Sequence, residues 1–186
     1  VVDCRRWTAR RNSESVVRRA IAEAACAVAT GAGELAIMLT DDAKIRKLNR
    51  RWRRKDAPTN VLSFPVADKF HFSAPAENRR RTAKGPPSRT RGTAQLAGTR
   101  AANTGAVPLL GDIVIAYETT EREARAERKQ FAHHLAHLAV HGFLHLAGYD
   151  HATERQAEAM EKLEAAILSR LDVPDPYTAA VPRSDI

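Results

Sequence analysis

Val17, Ile21, Ala24 and Val28 recur at three- and four-residue intervals, which predicts an amphipathic helix over residues 14–29. Leu35, Ile37 and Leu39 then alternate with Ala36, Met38 and Thr40, the two-residue period of a strand. Thr40-Asp41-Asp42 offers N-cap chemistry for a second helix. Its apolar stripe would be Ile45, Leu48 and Trp52, at i, i+3 and i+7. Val61-Leu62-Ser63-Phe64 reads as a short strand ended by Pro65, and Ile113-Val114-Ile115 as a strand buried on both faces. Helical character runs from about Thr119 to Ala147, divisible into two pieces. It resumes from Ala152 to Leu171, with Met160, Leu163, Ile167 and Leu171 on one face. This order predicts an α/β (α+β) fold: a single domain with a small central mixed sheet flanked by helices. No internal repeat is visible.

Periodicity fails between the second and third strands. Residues 67–108 are rich in Ala, Thr, Gly, Pro and Arg. Such a stretch buries too little apolar surface to offset its ordering entropy, so it is expected to be a disordered, low-complexity basic insertion. It divides an N-terminal half, 1–66, from a C-terminal half, 109–172. Residues 173–186, with prolines at 174, 176 and 182, read as a tail.

Composition adds bounds. The chain has 186 residues, 44% of them hydrophobic, enough for one domain with a real core. No apolar run reaches the length of a spanning helix, and no signal-peptide segment is visible, so a cytoplasmic protein with no membrane partner is expected. Cys4 and Cys26 are then expected as reduced thiols.

The formal net charge is +8, which points to an anionic partner such as nucleic acid. Its distribution is uneven: +7 in residues 1–66, +6 in 67–108 and −5 in 109–186. The run Ala43–Lys55 carries Lys44, Arg46, Lys47, Arg50, Arg51, Arg53, Arg54 and Lys55 and no carboxylate. Charge runs are usually solvated helix faces, yet a run this long without an acid suits a polyanion. Trp52 within it is expected in the core, because it continues the Ile45–Leu48 stripe; the alternative is stacking on a base. Arg79-Arg80-Arg81 in the insertion reads as solvated; the alternative is contact with RNA.

Six of the seven histidines lie between residues 133 and 151. On a helix His141 and His145 share a face. Gly148 offers a left-handed helix end, after which His151 can return to the pair. Three imidazoles at this spacing suit Zn²⁺, one per chain, with a fourth position left for water. His-x3-His-x5-His, with glycine three residues before the last His, has the spacing of metzincin proteases. Those carry a glutamate after the first histidine, whereas here the residue is Gly142, which cannot move a proton. The alternative is a closed structural zinc site with Asp150 or His137 as fourth ligand. Otherwise His137 is expected to line the same cleft or to be an ordinary helix histidine. Asp150 is expected to orient an imidazole from behind or to serve the turn.

The stretch HGFLHLAGYDH, 141–151, resembles the metal motif of the YbeY family, bacterial endoribonucleases and rRNA maturation factors. LGDIVIA, 110–116, resembles the strand preceding that motif, and LNRRWRRKDAPTNVLSFP, 48–65, the family's other signature. The final helix and Pro174-Asp175-Pro176-Tyr177 are also similar. The resemblance implies a single-strand-specific, zinc-dependent endoribonuclease. It would act in 16S rRNA 3′-end maturation and ribosome quality control, with ribosomal RNA and the small ribosomal subunit as partners. It implies zinc on His141, His145 and His151 and a functional Arg53. Arg54 stands where the family often has glycine, and the insertion is far longer than the usual connection.

On these expectations zinc acidifies a water or polarises the phosphate, and Arg53 clamps the scissile phosphate. Lys44, Lys47, Arg50, Arg51, Arg54 and Lys55 grip the RNA backbone. Two rivals stand beside this reading: a metal-dependent hydrolase of other substrates, and a non-catalytic rRNA-binding assembly factor with structural zinc.

Overall fold

The computed structural model describes residues 1–29, 33–66 and 109–178. The insertion read over 67–108 and the end of the tail, 179–186, lie outside the described residues. Helix α1 (Arg5–Ala9) leads into α2 (Ser13–Ala27), β1 (Glu34–Thr40), α3 (Asp42–Arg53), β2 (Val61–Pro65) and β3 (Leu109–Ala116). Helices α4 (Tyr117–Ala126), α5 (Phe131–Leu146) and α6 (Glu154–Ser169) follow. Both expected strands beside the insertion form, and the long helical region divides in two as its pattern allowed. The α+β single-domain class is thereby met.

β3 is the middle strand. It runs parallel to β1 and antiparallel to β2, so the sheet is mixed, in the order β1-β3-β2. Ile113 and Ile115 face the larger core, built with α2 and α5. Val114 and Ala116 face the smaller one, where Ile45 and Leu62 are sealed and Leu48 and Phe64 pack partly buried. Burial on both faces explains why Ile113-Val114-Ile115 reads as an unbroken apolar run. α5 lies across the sheet, with Leu135, Val140, Phe143 and Leu144 in the core.

The local devices follow from the residues. The Asp41 side chain caps α3 by accepting the Lys44 amide at 2.8 Å, as the Thr-Asp-Asp pattern predicts. Thr153 and Gln156 form a reciprocal capping box on α6. Cys4 and Cys26 are free thiols. No helix of the described residues is long and apolar enough to cross a membrane.

Two expectations need correction. Trp52 is not in the core: it is 61% exposed. The α3 stripe runs one turn past the sheet, so Ile45 and Leu48 find partners while Trp52 overhangs the edge strand and sits at an angle to Phe64, ring centroids 6.0 Å apart. α1 buries Trp7, whose indole donates to Thr40 O at 2.8 Å. Residues 173–178, read as the start of a tail, are docked. Val173 packs on the core, and Lys129 Nζ donates to Pro176 O at 3.1 Å.

Candidate metal centre and its cleft

α5 carries His134, His137, His141 and His145 on one face, three or four residues apart. The helix ends after Leu146 in a Schellman turn: Tyr149 N donates to Leu144 O at 3.0 Å, and Gly148 N to His145 O at 3.1 Å. Gly148 holds φ +88°, the left-handed conformation this turn requires. The reversal returns His151, and the ligand nitrogens of His141, His145 and His151 lie within 4.8 Å of one another.

Hydrogen bonds decide which nitrogens face inward. His141 Nδ1 meets Glu164 Oε1 at 2.8 Å, and His145 Nδ1 meets the Tyr149 carbonyl at 3.1 Å. Both partners only accept, so each Nδ1 carries the proton and each Nε2 presents a bare lone pair. These two Nε2 atoms face each other at 3.1 Å. Two lone pairs so close repel unless a cation lies between them. In a tetrahedral zinc site neighbouring ligand nitrogens are about 3.3 Å apart, so the donor set fits a divalent metal. Burial, with His141 and His151 as neighbours, lowers the His145 pKa and keeps its imidazole neutral, the form a metal needs.

Glu164 is the functional residue that sequence reasoning missed. It is fully buried, with Oε2 also meeting His137 Nε2 at 3.0 Å and the Tyr177 hydroxyl. Burial pushes its carboxyl pKa up, but the hydrogen bonds from His137, His141 and Tyr177 outweigh this and hold it at about 2. Partial burial of its hydroxyl end and the Glu164 carboxylate raise the Tyr177 pKa. A signal was present: Glu164 shares the apolar face of α6 with Met160, Ile167 and Leu168. An acid in such a stripe must have a partner.

Arg53, the last residue of α3, lines one cleft of about 400 Å³ with Asn60, Ser63, Asp150 and the three histidines. The far wall is fixed from behind. Asn60 Nδ2 donates to Glu123 Oε2 at 3.0 Å, and His134 Nε2 meets the same oxygen at 3.0 Å. Ser63 Oγ donates to Gly142 O at 3.0 Å. A Cβ at Gly142 would stand 3.1 Å from Ser63 Oγ and 3.2 Å from Ile113 Cγ2, so the missing side chain is what lets α5 lie this close to the sheet.

The other expected residues are distributed unevenly. His137 does not line this cleft. It turns to Glu164 and lines a neighbouring cleft of about 540 Å³ with Arg128, Lys129 and Tyr177. Asp150 lines the cleft of the three histidines, where its Oδ1 accepts the His151 amide at 2.8 Å and so holds the turn. Lys44, Lys47, Arg50, Arg51, Arg54 and Lys55 are all exposed. Lys44 is engaged with Asp3 at 2.6 Å. Arg54 follows α3 in the left-handed conformation, φ +57°, which favours glycine.

The profile of the family Endoribonuclease YbeY matches residues 3–172. Endoribonuclease YbeY of Nitrobacter winogradskyi is 51% identical over 179 residues, covering 95% of this chain and 78% of that protein. Endoribonuclease YbeY of Rhodopseudomonas palustris strain BisA53 is also 51% identical over 179 residues, covering 95% and 86%. A solution structure from Thermotoga maritima aligns with a TM-score of 0.49 at 20% identity, covering 89% of this chain and 93% of that one. A family match that spans both signatures and the α6 face, joined to relatives half identical along nearly all of the chain, places the protein in the YbeY family.

Proposed function

We propose that the chain is a zinc-dependent endoribonuclease that cuts single-stranded RNA. Its setting would be 16S rRNA 3′-end maturation and ribosome quality control in the cytoplasm, on the small ribosomal subunit. The observation that carries the reading is the shared cleft: a permanently charged guanidinium and three imidazoles converge on one space. The names of the relatives support RNA as substrate.

His141, His145 and His151 would hold the metal. A divalent metal there supplies Lewis-acid polarisation and, in the case of zinc, acidifies water to a pKa of about 7. Arg53 presents a planar fork that binds a phosphodiester and stabilises the charge growing on its oxygens. Glu164 and the Tyr149 carbonyl keep the protons of His141 and His145 on Nδ1, so the Nε2 lone pairs stay directed into the cleft. The exposed cations of α3 and the following loop draw in the RNA backbone without regard to sequence. Among the described residues no fourth ligand gathers with the three imidazoles, and His137 is held by Glu164. This supports an open catalytic position over a closed structural one. Gly142 offers no general base for peptide cleavage. Residues 67–108 we take as an insertion within this one catalytic domain.

The test is cleavage of a labelled single-stranded oligoribonucleotide by the purified full chain, before and after chelation and with zinc restored. Loss on chelation, recovery with zinc, and loss in Arg53→Ala and His145→Ala are expected. Undiminished cleavage in either variant overturns the reading.

A further inference from the structure

We propose that Trp52 is a stacking platform for a base of single-stranded RNA, beside the nucleotide whose phosphate Arg53 holds. The proposal rests on the RNA-cleaving reading above and adds to it how the strand is seated.

The position is unusual for a tryptophan. The core beneath α3 is complete without it, since Ile45 and Leu62 are already sealed. At 61% exposure the indole gains little from packing, and among the described residues its aromatic neighbour is Phe64, set at an angle to it. The Arg51 guanidinium lies 5.4 Å from the Trp52 ring centroid, so a cation already sits against the indole. On the same helix and the residues that follow it, Lys47, Arg50, Arg54 and Lys55 are exposed, and among the described residues none of the four is in an ion pair. A flat aromatic beside a run of cations whose nearest acid in sequence, Asp56, is already bound to Arg46 suits a polyanion that also carries aromatic faces, which is single-stranded nucleic acid. An acidic protein partner would match the charge but leave the flat ring without a purpose.

The topology connects this platform to the cleft. β2 is an edge strand, and its side chains alternate. Val61 and Ser63 line the metal cleft, while Leu62 and Phe64 face α3 and Trp52. β2 is therefore a lip between the two. Arg53 follows Trp52 by about 100° around the helix and lines the cleft. A strand with one phosphate at Arg53 crosses the lip and brings an adjacent base against the indole. Stacking of this kind is tolerant of sequence because every base has a π face.

The chain has two tryptophans, and Trp7 is buried. The red-shifted component of the intrinsic fluorescence, from the exposed indole, therefore reports on Trp52. A short 2′-O-methyl oligoribonucleotide, titrated into the full chain, should quench the exposed emission to saturation. Trp52→Phe should bind within a few-fold of wild type and lose the quench, because phenylalanine still stacks. Trp52→Ala should weaken binding by roughly 5- to 150-fold, the range measured for losing one stacked base. Inorganic polyphosphate, which has no bases, should bind in a salt-sensitive way and leave the emission unquenched. Oligonucleotide binding without a quench, or Trp52→Ala binding as tightly as wild type, overturns the stacking role and leaves the RNA-cleaving reading intact. Failure of the wild type to bind any single-stranded RNA overturns both.

Discussion

The carboxylate of Glu164 accepts the Nδ1 proton of His141 at 2.8 Å across 23 positions of sequence. That contact ties α6 to the metal centre, and through the Tyr177 hydroxyl it ties the docked C-terminal segment there as well. A carboxylate behind a ligand imidazole fixes its tautomer and raises its basicity. Glu164→Gln should therefore lower zinc affinity by about 10- to 100-fold, and Tyr177→Phe by less. Competition with a calibrated chelator measures both. Equal affinity in wild type and Glu164→Gln would remove the supporting role.

The same carboxylate makes stability depend on pH. Its folded pKa of about 2 lies below the ordinary value near 4.5. A depressed acid stabilises the fold above its unfolded pKa, and the contribution disappears as pH falls through the folded value. The difference in unfolding free energy between wild type and Glu164→Gln should be largest above about pH 5, a few kcal/mol by linkage, and should close between about pH 4.5 and 2. Urea melts across that range test it. A constant difference would mean the carboxylate does not titrate as its three hydrogen-bond donors require.

These residues also mark how far sequence alone reaches. The His141–His145–His151 cluster was legible because its geometry is local: one helical turn and one Gly148-dependent reversal. Ile45 and Leu48 were legible as a buried stripe because helical spacing fixes a face. Trp52 shares that face and is exposed, because the width of the sheet beneath α3 is a tertiary property that no window of α3 contains. Glu164 and His141 meet only after α6 packs on α5, so only the anomaly of an acid in an apolar stripe was visible. Helix α1 has five residues, too few to display a period.

Gly142 separates two effects that would otherwise be confounded. An added Cβ meets Ser63 Oγ, Ile113 Cγ2 and Val61 Cγ2 at 3.1–3.3 Å. Gly142→Ala gains helix propensity of up to about 1 kcal/mol, which offsets the squeeze, so its thermal stability should stay close to wild type. Gly142→Val adds bulk with a poorer propensity and should lose about 1–3 kcal/mol. Thermal unfolding of the two variants side by side checks this. A stable Gly142→Val would show that α5 does not need the close approach to β2 and β3.

Arg54 bears two loads, and they can be taken apart. It ends α3 at φ +57°, where a side chain costs about 1–2 kcal/mol and glycine nothing. Glycine gives back about 0.5–1 kcal/mol through a freer unfolded chain. Arg54→Gly should therefore be more stable by up to about 1 kcal/mol, whereas Arg54→Ala keeps the strain and should gain nothing. Both variants delete one exposed cation beside Arg53 and Trp52. If that cation contacts the RNA backbone, the slope of log affinity against log salt should become shallower by about 0.7 in both, the increment for one phosphate contact on a single strand. Melting temperature and a salt-titrated binding series read the two effects independently. Higher stability confined to the glycine variant, with the same change of slope in both, assigns the strain to the backbone and the affinity to the guanidinium. An unchanged slope removes Arg54 from the RNA-binding face.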